Sequence, residues 1–235
     1  MPALSFLKKP WFRFLRKWII RIVLGYLALS ILLVILFKWV NPKWNWTMIS
    51  QKMRVEKKGM VFQKKWVDIE QISTQMQLAA ICGEDQHFTE HFGFDFHAIS
   101  AAASHNARGK KVRGASTITQ QTAKNVFLWN GGGYFRKAIE AWYTLLIEII
   151  WGKKRIMEVY LNVAETGEGV FGVEAAANKY FHISASKLNT WHAVQIASIL
   201  PSPRKWNMNK YPAYGRRHVI LTAMNKYNIQ LTYLK

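Results

Sequence analysis

From Ile22 to Phe37 no charged residue interrupts the chain, whereas beyond residue 65 apolar positions recur at helical spacing between short polar breaks. The first pattern reads as a membrane-crossing helix. With the flanking Trp18, Ile19, Ile20, Trp39 and Val40 the apolar run reaches the roughly 20 residues that span a bilayer. Arg21 lies near enough to one end to snorkel, and Trp18, Trp39, Trp44 and Trp46 supply interfacial belts. A cleaved leader would carry a shorter apolar core followed by a small-x-small site, so the segment reads as a retained anchor. The second pattern predicts a series of helices. The first is capped by Ser73 or Thr74 and ends near Glu84, and the next runs from Asp95 to Ala107 with Phe96, Ile99, Ala102 and Ala103 facing inward. Another starts at Ser116 or Thr117, and a long one covers Tyr134 to Trp151 after the break Asn130-Gly131-Gly132-Gly133. Four more are expected over Lys154 to Asn162, Val173 to Tyr180, Thr190 to Leu200 and Pro212 to Asn228.

No stretch alternates long enough to demand a sheet, and no repeat or linker follows residue 65. The expected organisation is a basic cytoplasmic tail at 1–17, a transmembrane helix at 18–40, a membrane-proximal segment at 41–66 and one compact, mainly α domain at 67–235.

Charge changes the picture in two ways. The 235-residue chain has 33 Lys and Arg against 13 Asp and Glu, a net charge of +20. Such a balance commonly signals nucleic acid, but a tether to the bilayer makes anionic headgroups, or a lipid substrate carrying phosphates, the better partners, and no nucleic acid is expected. Between Gln51 and Trp66, six basic residues (Lys52, Arg54, Lys57, Lys58, Lys64, Lys65) mix with Met53, Val55, Met60, Val61, Phe62 and Trp66, as on a surface that lies on lipid. A solvated basic linker remains open for the first half of that segment. Basic residues flank the span on both sides, so charge alone nearly cancels; the short N-terminal tail is placed in the cytoplasm and the long domain outside. The single cysteine, Cys82, excludes an internal disulfide and a cysteine-rich metal site.

Against so basic a background, four of the acidic residues gather in Glu84-Asp85-Gln86-His87-Phe88-Thr89-Glu90-His91-Phe92-Gly93-Phe94-Asp95 without one Lys or Arg among them. Glu84 closes an apolar helix, where desolvation can tune a carboxylate for proton transfer; a loop of helix caps with two structural histidines is the alternative. Further on, Thr117, Thr119, Gln120, Gln121, Lys124 and Asn125 put too many polar groups on one helix for a core element, and a helix start behind Gly114 suits an anionic ligand. In the long helix Arg136, Lys137 and Glu140 share a side, facing either water as an ion pair or a cleft. Arg155 and Glu158 are spaced for a structural salt bridge, and Gly167, Gly169 and Gly172 for a tight loop.

These segments together resemble the monofunctional biosynthetic peptidoglycan glycosyltransferases, the domain that also forms the polymerase half of class A penicillin-binding proteins. The resemblance runs through Glu84-Asp85-x-x-Phe88-x-x-His91-x-Gly93-x-Asp95, Gly114-Ala115-Ser116-Thr117-Ile118-Thr119-Gln120-Gln121, Arg136-Lys137-x-x-Glu140 and Arg155-Ile156-x-Glu158-x-Tyr160-Leu161-Asn162, in that order, covering about Gln71 to Arg204. Ala115 replaces the family's usual second glycine, and the helix before Leu200-Pro201 lacks the family's usual carboxylate.

The resemblance implies a lysozyme-like helical domain with a small membrane-associated jaw. It implies polymerisation of lipid II into glycan strands, with inversion, the sugar 4-hydroxyl displacing undecaprenyl pyrophosphate from the growing chain. Glu84 would be the base; Lys124, Arg136 and Lys137 would offset the pyrophosphate charge; Glu140 would position a cation or a divalent metal, Mg2+ or Mn2+. Asp85, Phe88, His91, Thr119, Gln120, Gln121 and Asn125 would line sugar and phosphate subsites. The expected setting is the bacterial inner membrane, single-pass, with the catalytic domain periplasmic. Since no transpeptidase module fits in the rest of the chain, separate transpeptidases and other cell-wall synthesis or division proteins are the expected partners. A lytic glycosidase would also use a glutamate, as an acid, but has no need of the cationic set. A non-enzymatic scaffold would not need Glu84 and Glu140 together.

Overall fold

A computed structural model describes residues 10–109, 114–226 and 231. The basic residues expected in the tail before Pro10, Arg113 of the loop that precedes the third expected helix, and Asn228 at the expected end of the last one lie outside them. The chain divides between Val40 and Asn41 into two units, each described by itself.

The first unit is one helix, α1 (Pro10–Trp39). It starts upstream of the expected boundary at residue 18, with proline at the position where a missing N–H costs nothing. Its stretch Phe14–Trp39 is 26 residues long and contains an 18-residue window of mean hydropathy 2.7, long and apolar enough to cross a membrane. Such a helix fits a membrane anchor.

The second unit is mostly helical. Its helices are α2 (Trp46–Glu56), α3 (Thr74–Glu84), α4 (Phe96–Ala107), α5 (Ile118–Phe127), α6 (Gly133–Ile150), α7 (Gly152–Val163), α8 (Val173–Phe181), α9 (Thr190–Ile199) and α10 (Ala213–Lys226). Side-chain caps explain where several begin. Ser73 accepts from the Met76 amide at α3, Asp95 from Ala98 at α4 and Asn189 from His192 at α9. At α5 the Thr117 hydroxyl and the Gln120 amide oxygen each accept from the other's backbone, a reciprocal capping box. In the core α3 packs on α9 and α10, and α5 packs on α6 and α7. Met76, Ile81, Ile118, Ile147, Ile156 and Tyr160 are all but fully buried there, the apolar burial that offsets chain entropy.

The structure adds one element to the expected fold and corrects two expectations. A small sheet is present in the order β1 (Gln63–Lys64), β3 (Val170–Phe171), β2 (Glu165–Gly167), with β1 parallel and β2 antiparallel to β3. Strands of two or three residues are too short for alternation to show in sequence. Gly167 at the end of β2 leaves room for the Tyr180 side chain, since a Cβ there would lie 2.1 Å from the Tyr180 hydroxyl oxygen. Next, the first half of the membrane-proximal segment is not a linker: α2 is capped by Asn45 and buries Met48, Gln51 and Val55. Finally, α4 buries only Ala102, while Phe96 and Ile99 are exposed. Its small residues Ala98 and Ala101 face a cavity instead of a core.

Candidate active site

Two buried carboxylates organise the site. Glu84 closes α3, and Gly83 lets α10 come close, for a Cβ at 83 would sit 3.2 Å from the Ile220 side chain. Along that approach Arg216 donates from Nη2 to the Gly83 carbonyl and, at 2.7 Å, to Glu84 Oε1. From α5, Gln121 Nε2 donates to Glu84 Oε2 at 2.8 Å. Burial pushes the Glu84 carboxyl above the usual carboxylate range, and Arg216 and Gln121 oppose that rise. Near the pair, the Tyr160 hydroxyl is 3.5 Å from Gln121 Oε1, and its burial keeps it firmly protonated.

Glu84 and Gln121 line different cavities. One, of about 360 Å³, is bordered by Glu84, Asp85, His87, Asp95, Ser116 and Thr117. The other, of about 160 Å³, is bordered by Gln121, Lys124, Asn125, Tyr160 and Arg204. One side-chain hydrogen bond, from Gln121 to Glu84, joins the two linings, beside the helical bond from the Gln121 amide to the Thr117 carbonyl. Burial lowers the pKa of the Lys124 ammonium, with the charges of Arg136 and Lys137 acting in the same direction and Glu140 against it.

Glu140 is 2% exposed, so the surface ion-pair alternative does not describe it. Arg136 Nη1 donates to its Oε2 at 2.5 Å and Lys137 to its Oε1, while Lys137 also reaches Ser116 Oγ of the larger cavity at 3.3 Å. Both carboxylate oxygens are thus taken by cations. Lys124 adds a third positive charge nearby. No group of three acidic, histidine or cysteine side chains suited to a metal occurs among the described residues. The expected Mg2+ or Mn2+ does not fit at Glu140, because a dication there would meet three cations before it met a free oxygen.

The loop after Glu84 is a scaffold. Asp85 accepts from His91 Nε2 at 2.9 Å and from the Ile118 amide at 2.9 Å, fastening the loop to the start of α5. His87 Nδ1 pairs with Asp95 Oδ2 at 3.0 Å. Thr117 Oγ1 donates to the Gly93 carbonyl at 2.7 Å, and Gly93 takes φ +80° where a Cβ would be 2.8 Å from Thr144 Cγ2. Phe88 and Thr119 have no exposed surface, so both are corrected from subsite lining to structural support. Phe88 carries Lys153 over its ring at 4.6 Å, and Thr119 donates to Glu148 at 2.7 Å. His91 and Gln120 are likewise nearly buried and spent on Asp85 and the capping box. Asp85, Gln121, Lys124 and Asn125 do border a cavity.

A family model for transglycosylases matches residues 51–225, which include every side chain of both clusters. The chain belongs to the transglycosylase family. A biosynthetic peptidoglycan transglycosylase of Pseudomonas putida is 50% identical over 196 residues, 83% of each chain. One from Pseudomonas aeruginosa is 46% identical over 207 residues, 87% of this chain and 89% of its own. One from Pseudomonas syringae pv. syringae is 44% identical over 201 residues, 85% of each.

Within this transglycosylase, sequence reasoning passed over Arg216 and the pairing of buried Glu148 with half-buried Lys153, whose Nζ donates to Glu148 Oε1 at 2.7 Å. Arg216 is 132 positions from Glu84, and neither spacing nor composition links them. The one signal was negative: an isolated carboxylate at a buried helix end requires a donor from somewhere.

Proposed function

We propose that this transglycosylase polymerises lipid II, joining disaccharide units held on a polyprenyl pyrophosphate into linear glycan strands. The observation that carries the reading is Glu84, a buried base joined through Gln121 to the lining of a cavity that contains Lys124 and Asn125. Glu84 accepts the proton of the incoming sugar 4-hydroxyl, the oxygen forms a bond to the anomeric carbon of the donor, and the bond from that carbon to pyrophosphate breaks on the opposite face. The electron pair leaves on the pyrophosphate. Lys124, Arg136 and Lys137 meet the charge that grows there, and buried Glu140 holds two of those cations in place. A raised carboxyl pKa makes Glu84 a stronger base than a solvated glutamate once it is ionised.

A lytic glycosidase releases a neutral sugar hydroxyl, for which three convergent cations have no use. We place the enzyme in the bacterial inner membrane, single-pass through α1, with the N-terminus cytoplasmic and the catalytic domain periplasmic. The exposed Trp46, Ile49 and Met53 of α2 supply an apolar face for a membrane-associated jaw. Cross-linking falls to separate transpeptidases and other cell-wall synthesis or division proteins. Incubation of the purified protein with lipid II, resolved on a gel, is expected to give a ladder of glycan chains, and absence of any ladder refutes the reading.

A further inference from the structure

Away from both carboxylates, a groove of about 460 Å³ is lined by Asn41, Lys43, Trp44, Phe62, Lys64 and Trp66. Its walls are fixed. Trp44 stacks on Phe62 with centroids 5.6 Å apart, and Phe62 leans on Phe171 of β3 at 5.5 Å. Lys64 belongs to β1, paired to β3, and its ammonium donates to the carbonyls of Pro42 (3.3 Å) and Lys43, which ties the 41–44 segment down. Polar groups here are donors whose local acceptors are already taken: Asn41 spends its Oδ1 on Arg155 at 2.8 Å, and the Trp66 indole N–H has no acceptor. Lys52, which also pairs with Glu56 at 3.8 Å, stands over the Trp44 ring at 5.3 Å, and no carboxylate lines the groove itself. Burial without a carboxylate partner brings the Lys64 pKa down to about 8, so an anion beside it would restore charge that desolvation opposes.

We propose that this groove binds the phosphate headgroup of an anionic phospholipid, with Lys43 and Lys64 on the phosphate and the faces of Trp44 and Phe62 against the upper acyl chain. Charge complementarity selects an anion, and the aromatic walls select one that carries an apolar tail. Chain connectivity selects a membrane lipid over a soluble phosphate ester, since only one residue separates Trp39, the last of the candidate span, from Asn41. The site serves neither proton transfer nor pyrophosphate departure. It gives the enzyme a preference for the composition of the bilayer that carries its substrate.

Native mass spectrometry of the full chain in a neutral detergent tests this, with dioctanoyl phosphatidylglycerol, dioctanoyl phosphatidylcholine and inorganic phosphate as probes. One phosphatidylglycerol adduct is expected, at roughly ten-fold the occupancy of phosphatidylcholine at equal concentration. Lys64→Met is expected to reduce it about five-fold, and the exposed Lys43→Glu, which leaves the walls intact, at least as much, while polymerisation of lipid II in detergent is unchanged in both. Lys64→Arg should keep the adduct. Equal binding of the two lipids overturns the proposal, as does a preference that survives Lys43→Glu. So does displacement of the lipid by inorganic phosphate at the same concentration, which would make the groove a site for soluble anions.

Discussion

Glu84 and Glu140 are glutamates with two donors each, Glu140 buried and Glu84 largely so, yet their surroundings differ in kind. Glu140 faces two full positive charges, Arg136 and Lys137, one on each oxygen. Glu84 faces one guanidinium and one neutral amide, and burial prevails over both. Cations occupy both oxygens of Glu140, which leaves it no free oxygen for chemistry, whereas one cation and an amide leave Glu84 oriented and still able to take a proton. The pair shows how one residue type becomes a counter-ion in one place and a base in another, through its neighbours alone.

The strongest test of that contrast is Glu84→Gln, which keeps size and one acceptor oxygen but cannot take up a proton as a base. Polymerisation is expected to fall at least about 100-fold without a drop in Tm, and a near-normal rate of glycan formation would remove Glu84 from its role. Arg136→Ala and Lys137→Ala should each cost about 10- to 100-fold in rate with only small changes in melting, because each acts on the departing pyrophosphate and leaves Glu140 one partner. Early melting with full activity in the folded fraction would reduce them to structural ions.

Glu140→Gln should show the opposite balance, losing about 1–3 kcal/mol of stability in chemical denaturation as two cations lose their partner. Smallest in size but most specific is Arg216→Met, read as a pH–rate profile. A base works only when deprotonated, so activity fails as pH falls through the folded pKa, and the raised value puts that acid limb above the usual glutamate range. Arg216 pulls the pKa down, while burial and Asp85 push it up. Its removal should therefore move the limb to still higher pH, and a limb that stays in place would show that Arg216 does not tune the carboxylate.

Much of this was legible in the chain. Ser73, Asp95 and Thr117 announced helix starts because a short polar side chain satisfies backbone donors wherever it stands, while the Asn189 cap was passed over. The grouping of Glu84, Gln121, Lys124, Arg136, Lys137 and Glu140 was legible through the family resemblance, since each segment alone also fitted a helix cap or a surface ion pair. Burial depth was not. Phe88 and His91 sit in the same motif as Glu84, and Thr119 in the same motif as Gln121, and only tertiary packing decides which side chains meet the cavity and which brace it from behind. Arg216 was illegible for a different reason: α10 packs on α3 through contacts that no local pattern encodes.

The hydrogen bond from Gln121 to Glu84 connects two cavity linings through one carboxylate. A small anion lodged beside Lys124 would act on the far side of that contact by holding the Gln121 amide and altering the charge Glu84 experiences. Its effect on turnover would be felt in Vmax as well as in apparent affinity. Inhibitors built as pyrophosphate mimics should accordingly give mixed kinetics against the incoming sugar acceptor, and compounds that occupy both cavities should gain more than the sum of their halves.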